Sequence, residues 1–293
     1  MIGTTTQKQF PAKTMIIPGL AGSTFYKQTN IVLQMPPTFP SRAITSVFFF
    51  LCCQSPAFSM DGIYAQILRN IQPHTVTFIG ESHKHTESAI FFEGLVSAVL
   101  EKQGCTIVGL EIGSDQQPIL DQIMEGQAKV DQLRLWESID HKPYRDMIGS
   151  FSAAKQHGKC LEVLAIDSGI DNKTDRDEWM AGLMAKQVGN KPVLVLVGGL
   201  HTLKRIAWTR PHGKSPVAEI LAKIGIAVHS YPQRWLDGSC GDPAAMQGRF
   251  MKADNPKALD IINRTMVSLV KAKPFKSLKG AVDGLVLWEC ARN

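Results

Sequence analysis

A chain of 293 residues, 44% hydrophobic and 20% charged, has the composition of a globular protein able to bury a sizeable core, which excludes a disordered or fibrous chain. Its formal charge of +6 is unevenly placed: residues 1–59 hold Lys8, Lys13, Lys27 and Arg42 and no acidic residue, leaving 28 basic against 26 acidic residues in the remainder. No Lys/Arg stripe with interleaved aromatics occurs there, so no nucleic-acid partner is expected.

The first 59 residues carry an export pattern. Arg42 supplies a positive region, residues 43–53 an apolar core, and Ala57-Phe58-Ser59 a small-x-small cleavage site. Cleavage is predicted after Ser59, with translation starting at Met35 rather than Met1 and residues 1–34 an upstream extension. The protein is then periplasmic or secreted. The apolar run is too short to anchor it in a membrane. Cleavage leaves Cys105, Cys160, Cys240 and Cys290, an even number suited to two disulfides in an oxidising compartment. Cys105 and Cys160 each precede a predicted strand, at the same edge of a parallel sheet, and Cys240 and Cys290 flank the C-terminal part. Of the three connectivities open to four cysteines, these two pairings are the ones expected. None of the cysteines has the CxxC spacing of a zinc knuckle.

The mature part alternates strands and helices. After a lead-in at 61–73 with Ile63, Ile67 and Leu68 at helical spacing, a strand at 76–79 ends in Gly80-Glu81-Ser82-His83-Lys84-His85. Thr86 is placed to cap a helix that buries Phe91, Leu95 and Val99 and stops at Gly104. A strand at 106–110 leads to Glu111. Residues 115–157 hold no convincing strand and read as three helices, the first with Pro118 in its opening turn, forming an insertion over the strand ends. A strand at 161–166 ends in Asp167. Thr174 then starts a helix with Asp177 as a variant capping box. Arg176, Met180 and Leu183 share one face of it, so the arginine points inward and requires an anionic partner. A strand at 193–197 ends in Gly198-Gly199-Leu200-His201. A helix at 217–223, a strand at 226–230, a loop rich in Gly, Pro and Cys, a helix at 256–270 and a strand at 285–288 follow. This order predicts one α/β domain over 60–293: a mainly parallel sheet with helices on both faces and a helical insertion over the C-terminal ends of the strands.

In a parallel sheet those ends share one rim, so Glu81, His83, Glu111, Asp167, Arg176 and His201 converge although distant in sequence. Glu81, His83 and His85 are two residues apart and share a side if the segment stays extended. Two chemistries suit such a cluster. His83, Glu111, Asp167 and His201 can bind Zn, Mn or Fe; alternatively, the carboxylates and imidazoles act as base and orienting partners around a substrate. Arg176 offers a bidentate clamp for an anionic group. Glycines 80, 198 and 199 suit a sharp turn or the close approach of a ligand. His74, His141, His157, His212 and His229 lack this context and read as surface or structural, and Asp177 reads as a helix cap.

Gly80-Glu81-Ser82-His83 and Gly198-Gly199-Leu200-His201 form a pair of GxxH motifs, with Gly109-Leu110-Glu111, Asp167 and Arg176-Asp177 between them and Val282-Asp283-Gly284-Leu285-Val286 near the end. The ordered set, over about residues 74–289, resembles the superfamily joining ChaN-like haem-binding proteins, TraB/Tiki proteins and erythromycin-esterase-like enzymes. The resemblance implies an α/β fold with its site at the strand ends. From the Tiki and esterase branches it implies hydrolysis of a peptide or ester bond in a small-molecule or peptide substrate, metal-assisted, with Glu81, Glu111, Arg176 and His201 catalytic. From the ChaN-like branch it implies haem binding, with His83, His85 or Tyr144 as axial ligand. A third implication is an inactive partner-binding module. The sequence departs from the esterase spacing, since His83 lies two residues after Glu81 and Lys84 stands where that histidine is expected.

Overall fold

The computed structural model describes residues 60–83, 85–169, 173–209, 213–238, 240 and 246–291. The expected signal segment, its cleavage point and the start at Met35 lie outside the described residues. Within them the chain runs α1 (Met60–Leu68), β1 (Thr75–Glu81), α2 (Glu87–Gln103), β2 (Cys105–Gly113), α3 (Gln117–Met124), α4 (Lys142–Gln156), β3 (Cys160–Asp167), α5 (Arg176–Gln187), β4 (Val193–Gly198), α6 (Val217–Lys223), β5 (Ala227–Trp235), β6 (Met246–Lys252), α7 (Pro256–Thr265) and β7 (Gly284–Cys290). The sheet order is β3-β2-β4-β1-β5-β7-β6, parallel throughout except for β6, which pairs antiparallel with β7 at the edge. The fold is α/β with helices on both faces, as the sequence predicts.

Strand alternation decides what each face buries. Val193, Val195 and Val197 of β4 turn to one side and pack with Met180 and Met184 of α5 and Val217 and Leu221 of α6. Leu194 and Leu196 turn to the other, into a core with Leu95 and Val99 of α2 and Phe151 of α4. A strand covered on both faces has no polar face to show, which is why β4 reads as an unbroken apolar run. A third cluster, with Ile261 and Ile262 of α7 and Leu285 and Leu287 of β7, closes the C-terminal end. Both expected disulfides are present, Cys105–Cys160 between register partners on β2 and β3 and Cys240–Cys290 beside the last strand. No described helix is long and apolar enough to cross a membrane.

Four expectations need correction. The Gly/Pro/Cys-rich loop contains β6, whose weak alternation and central Gly248 gave no strand signal; a Cβ there would come within 3.1 Å of Trp288, so the glycine admits that indole. The insertion holds two α-helices and a short 3-10 turn at Val130–Gln132, not three helices. Its α4 packs against α2, α3 and β3. The cap of α5 is Asp175, which accepts from the N–H groups of Asp177 and Glu178, in place of a box between Thr174 and Asp177. Thr86 precedes α2 but makes no side-chain cap.

Candidate functional site

Register brings the strand ends together. Glu81, last in β1, is the register partner of Gly198, last in β4, and Gly113 of β2 is the partner of Asp167 of β3. The β2–β3 register shifts between Leu110 and Gly113, so Glu111 falls in an irregularity of the kind that re-aims a side chain beside a site. Gly80 is required by close approach: a Cβ there would stand 3.0 Å from Gly199 Cα and 3.0 Å from Pro232 Cα.

The convergence is sharpest at Gly198. A Cβ on it would lie 3.5 Å from His201 Cδ2, 3.6 Å from Glu111 Oε2 and 3.7 Å from His83 Cε1, so three side chains from three segments surround one backbone position. The Gly198 N–H donates to Glu111 Oε2 at 2.5 Å. Alongside lies a cavity of about 620 Å³ lined by His83, Glu111, Trp136, Ser138, Ile139, Asp167 and Arg176. Trp136, Ser138 and Ile139 come from the non-helical middle of the insertion, which is the part that reaches the rim.

Each imidazole has its own carboxylate. Glu81 Oε1 lies 3.2 Å from His83 Nδ1, with the carboxylate buried and the ring 42% exposed. Glu81 holds His83 above the ordinary histidine range against the opposing effect of burial. Burial raises Glu81 itself, the Glu111 charge adding to the rise and His83 opposing it. Burial acts against the His201 imidazolium too, but Asp177 Oδ1, 2.6 Å from Nδ1, and the charge of Glu111 outweigh it and raise the pKa. A carboxylate only accepts, so the proton of neutral His201 sits on Nδ1, leaving Nε2 4.0 Å from Glu111 Oε1. Asp177 Oδ1 also accepts from the Val217 N–H at 2.7 Å, tying α5 to the start of α6. Its reading as a helix cap is therefore corrected: it orients His201. A carboxylate three residues after a threonine looks like a capping box, and only the fold shows the histidine beyond it.

Arg176 is inward and paired, as its place on α5 requires. Its Nε and Nη2 donate to Asp167 at 2.6 and 2.8 Å, and Nη2 also donates to Glu111 Oε1. The fork expected to grip a substrate is thus occupied by Asp167. These carboxylates raise the guanidinium's pKa in spite of burial. Asp167 is saturated, accepting further from Trp136 Nε1 at 3.0 Å and from the Ser168 N–H at 2.7 Å. Of the expected metal set of His83, Glu111, Asp167 and His201, the two carboxylates are thus paired with Arg176. Arg176 stands where a cation shared by Glu111 and Asp167 would sit, and among the described residues no three His, Cys, Asp or Glu side chains are arranged to hold a metal. The residues do not fit such an ion.

Two expected haem ligands are also displaced. The chain turns after Glu81, with the His85 N–H donating to the Ser82 carbonyl at 3.1 Å, so His85 does not share a side with His83. It stacks on Trp235, ring centroids 4.0 Å apart, with Nδ1 3.9 Å from Glu87. Tyr144 is fully buried in α4, its hydroxyl without a hydrogen-bond partner; burial, with Glu81 and Glu111, pushes its pKa far up. No iron reaches that oxygen without repacking α4. His83 alone of the three lines the cavity.

No protein-family model matches the chain, and no curated protein matches it in sequence. In three dimensions it is similar to an erythromycin esterase EreC variant in its open conformation, with TM-score 0.55 and 10% identity over 80% of this chain and 94% of that one. It is also similar to a succinoglycan biosynthesis protein, with TM-score 0.50 and 9% identity over 79% and 97% of the two chains. The fold is the one seen in EreC. ChaN of Campylobacter jejuni, solved with cofacially bound haem, aligns at TM-score 0.42 and 16% identity over 63% and 87% of the two chains, too distantly to carry an argument. At such identities the likeness is one of fold, and the chemistry rests on the residues around Gly198.

Proposed function

We propose that this protein is a hydrolase of ester or amide bonds that works without a bound metal, through two imidazole–carboxylate pairs. The observation that carries the reading is the meeting of His83, paired with Glu81, and His201, paired with Asp177, at Gly198, beside a cavity of about 620 Å³ that His83 and Glu111 line. With Glu81 Oε1 3.2 Å from its Nδ1, His83 presents Nε2 as the base that takes a proton from water as the water oxygen attacks the substrate carbonyl. His201, kept protonated by Asp177, passes a proton to the leaving oxygen or nitrogen as its bond to the carbonyl carbon breaks. Arg176 is a positioning residue that holds Glu111 and Asp167 in place.

Because both histidines are raised above 6.5, the pH profile has a defined place. Activity rises as His83 loses its proton and falls as His201 loses its own, with both limbs above pH 6.5. A panel of chromogenic esters and amides, assayed with the wild type and Glu81→Gln, tests the mechanism. The variant is expected to lower kcat by about 10²–10⁴-fold with an unchanged unfolding midpoint. A Glu81→Gln enzyme as active as the wild type would overturn it. The exposed ring of His83 on the cavity also supports a second reading, haem binding. A saturable Soret shift with haemin that His83→Ala abolishes, in a protein without hydrolytic activity, would replace the first reading with this one.

A further inference from the structure

The mechanism leaves one buried cation unused. Arg234 lies near the end of β5, where β1 and β5 run side by side, and its guanidinium packs against Gly199. A Cβ on Gly199 would collide with Nη2 and stand 3.2 Å from Cζ and 3.4 Å from Nη1. The residue as a whole is half-buried, but its Nε is sealed from water with no acceptor. No hydrogen bond or ion pair joins it to any described residue. Burial alone pulls its pKa down to about 10, with no carboxylate opposing the fall. An arginine so placed has lost the hydration of Nε with no counter-charge in return, and an anion at Nη1 and Nη2, the nitrogens that are not sealed, would supply one.

The surroundings point to a ligand rather than to a misplaced side chain. Of the adjacent glycines, Gly198 faces His83, His201 and Glu111, and Gly199 faces Arg234. The two glycines are consecutive, so the backbone that meets the imidazoles and Glu111 at one residue meets the guanidinium at the next. Gly199 carries no side chain, which keeps room for the guanidinium; any Cβ there would expel it. On the other flank His85, stacked on Trp235, is held below the ordinary histidine range by burial, which outweighs the Glu87 carboxylate 3.9 Å away and is helped by the Arg234 charge. Planar, bidentate recognition of an oxyanion is what a guanidinium fork does best.

We infer that Arg234 is the seat for an oxyanion, a carboxylate or a phosphate, carried by the substrate. The site as an anion seat stands on Arg234 itself; the assignment of that anion to a substrate rests on the hydrolase reading above. The substrate class is then an anionic ester or amide, not a neutral one.

The test is thermal unfolding of the purified chain titrated with inorganic phosphate and, separately, acetate, at constant ionic strength set by chloride. A saturable rise in Tm is expected for the wild type and for Glu81→Gln, and none for Arg234→Met. Whichever of phosphate or acetate saturates at lower concentration identifies the group. Arg234→Lys keeps the charge and loses the fork, and is expected to weaken binding about tenfold or more. A wild type that shows no saturable response, or an Arg234→Met protein that responds like the wild type, overturns the inference. Should Arg234→Met not fold, unchanged affinity in Arg234→Lys overturns it. If the anion binds as expected while no ester or amide is cleaved, the seat stands and the hydrolase reading falls.

Discussion

Arg176 and Arg234 reach the same rim of the sheet and meet opposite surroundings. Arg176, first residue of α5, finds Asp167 and Glu111 waiting and becomes a strut between two strand ends. Arg234, near the end of β5, finds a glycine and, among the described residues, no carboxylate paired with it. The difference teaches how far an inward arginine can be read. Its place on an apolar face says that a negative charge is required, and only the three-dimensional neighbourhood says whether the protein or a ligand supplies it.

Removing each cation should give opposite results, and the larger effect belongs to Arg176. Arg176→Met leaves Glu111 and Asp167, both nearly inaccessible, without their counter-charge. Unfolding free energy in urea should fall by about 2–4 kcal/mol, less than for a fully buried pair because the guanidinium is itself two-fifths exposed. A loss within about 0.5 kcal/mol would mean that Arg176 is no strut. Gly198→Ala comes next. Its methyl group would fill the space shared by His83, His201 and Glu111 at 3.5–3.7 Å, ordinary van der Waals contact, so stability should stay within about 0.5 kcal/mol while any hydrolytic turnover is lost. An active, stable Gly198→Ala protein would show that the three side chains do not work around that point.

A smaller, pH-dependent effect separates the histidines from the arginines. His201 has a folded pKa above its unfolded value, so its contribution to stability is fully present below about pH 6.5 and is lost as pH rises through the folded pKa. Asp177→Asn removes the main cause of that rise. The stability difference between wild type and variant should therefore shrink between pH 6.5 and pH 9, read from urea midpoints at each pH. A difference that grows with pH would contradict the assignment. Arg234→Met should give the smallest change, and of the opposite sign to Arg176→Met: without ligand, stability stays within about 0.5 kcal/mol or rises, since an unpaired buried charge has been removed. A large loss would reveal an internal partner.

Much of this was legible before any coordinates. Three-residue GxxH spacings and β-branched runs ending in carboxylates placed Glu81, His83, Glu111, Asp167 and His201 on one rim, because parallel strands end on the same side. Arg176 was legible too, since i, i+4, i+7 spacing puts it on the buried face of α5. Arg234 was not. It sits two residues after Pro232 in the part of β5 beyond the expected strand, and nothing local distinguishes it from a surface arginine. Asp177 was hidden by a plausible local role, and His85 was misplaced because alternation holds only while the backbone stays extended.

The sequence by itself determined the layering and the strand ends, since these follow from periodicity and from the one-sided rim of a parallel sheet. The tertiary structure alone decided which charge meets which. Ion pairing depends on distances between segments far apart in the chain, Glu111 to Gly198 and Asp177 to His201, and on the register shift that turns Glu111 toward the rim. A few ångströms separate a clamp for substrate from a strut within the fold, and Coulomb attraction and desolvation change steeply over that range.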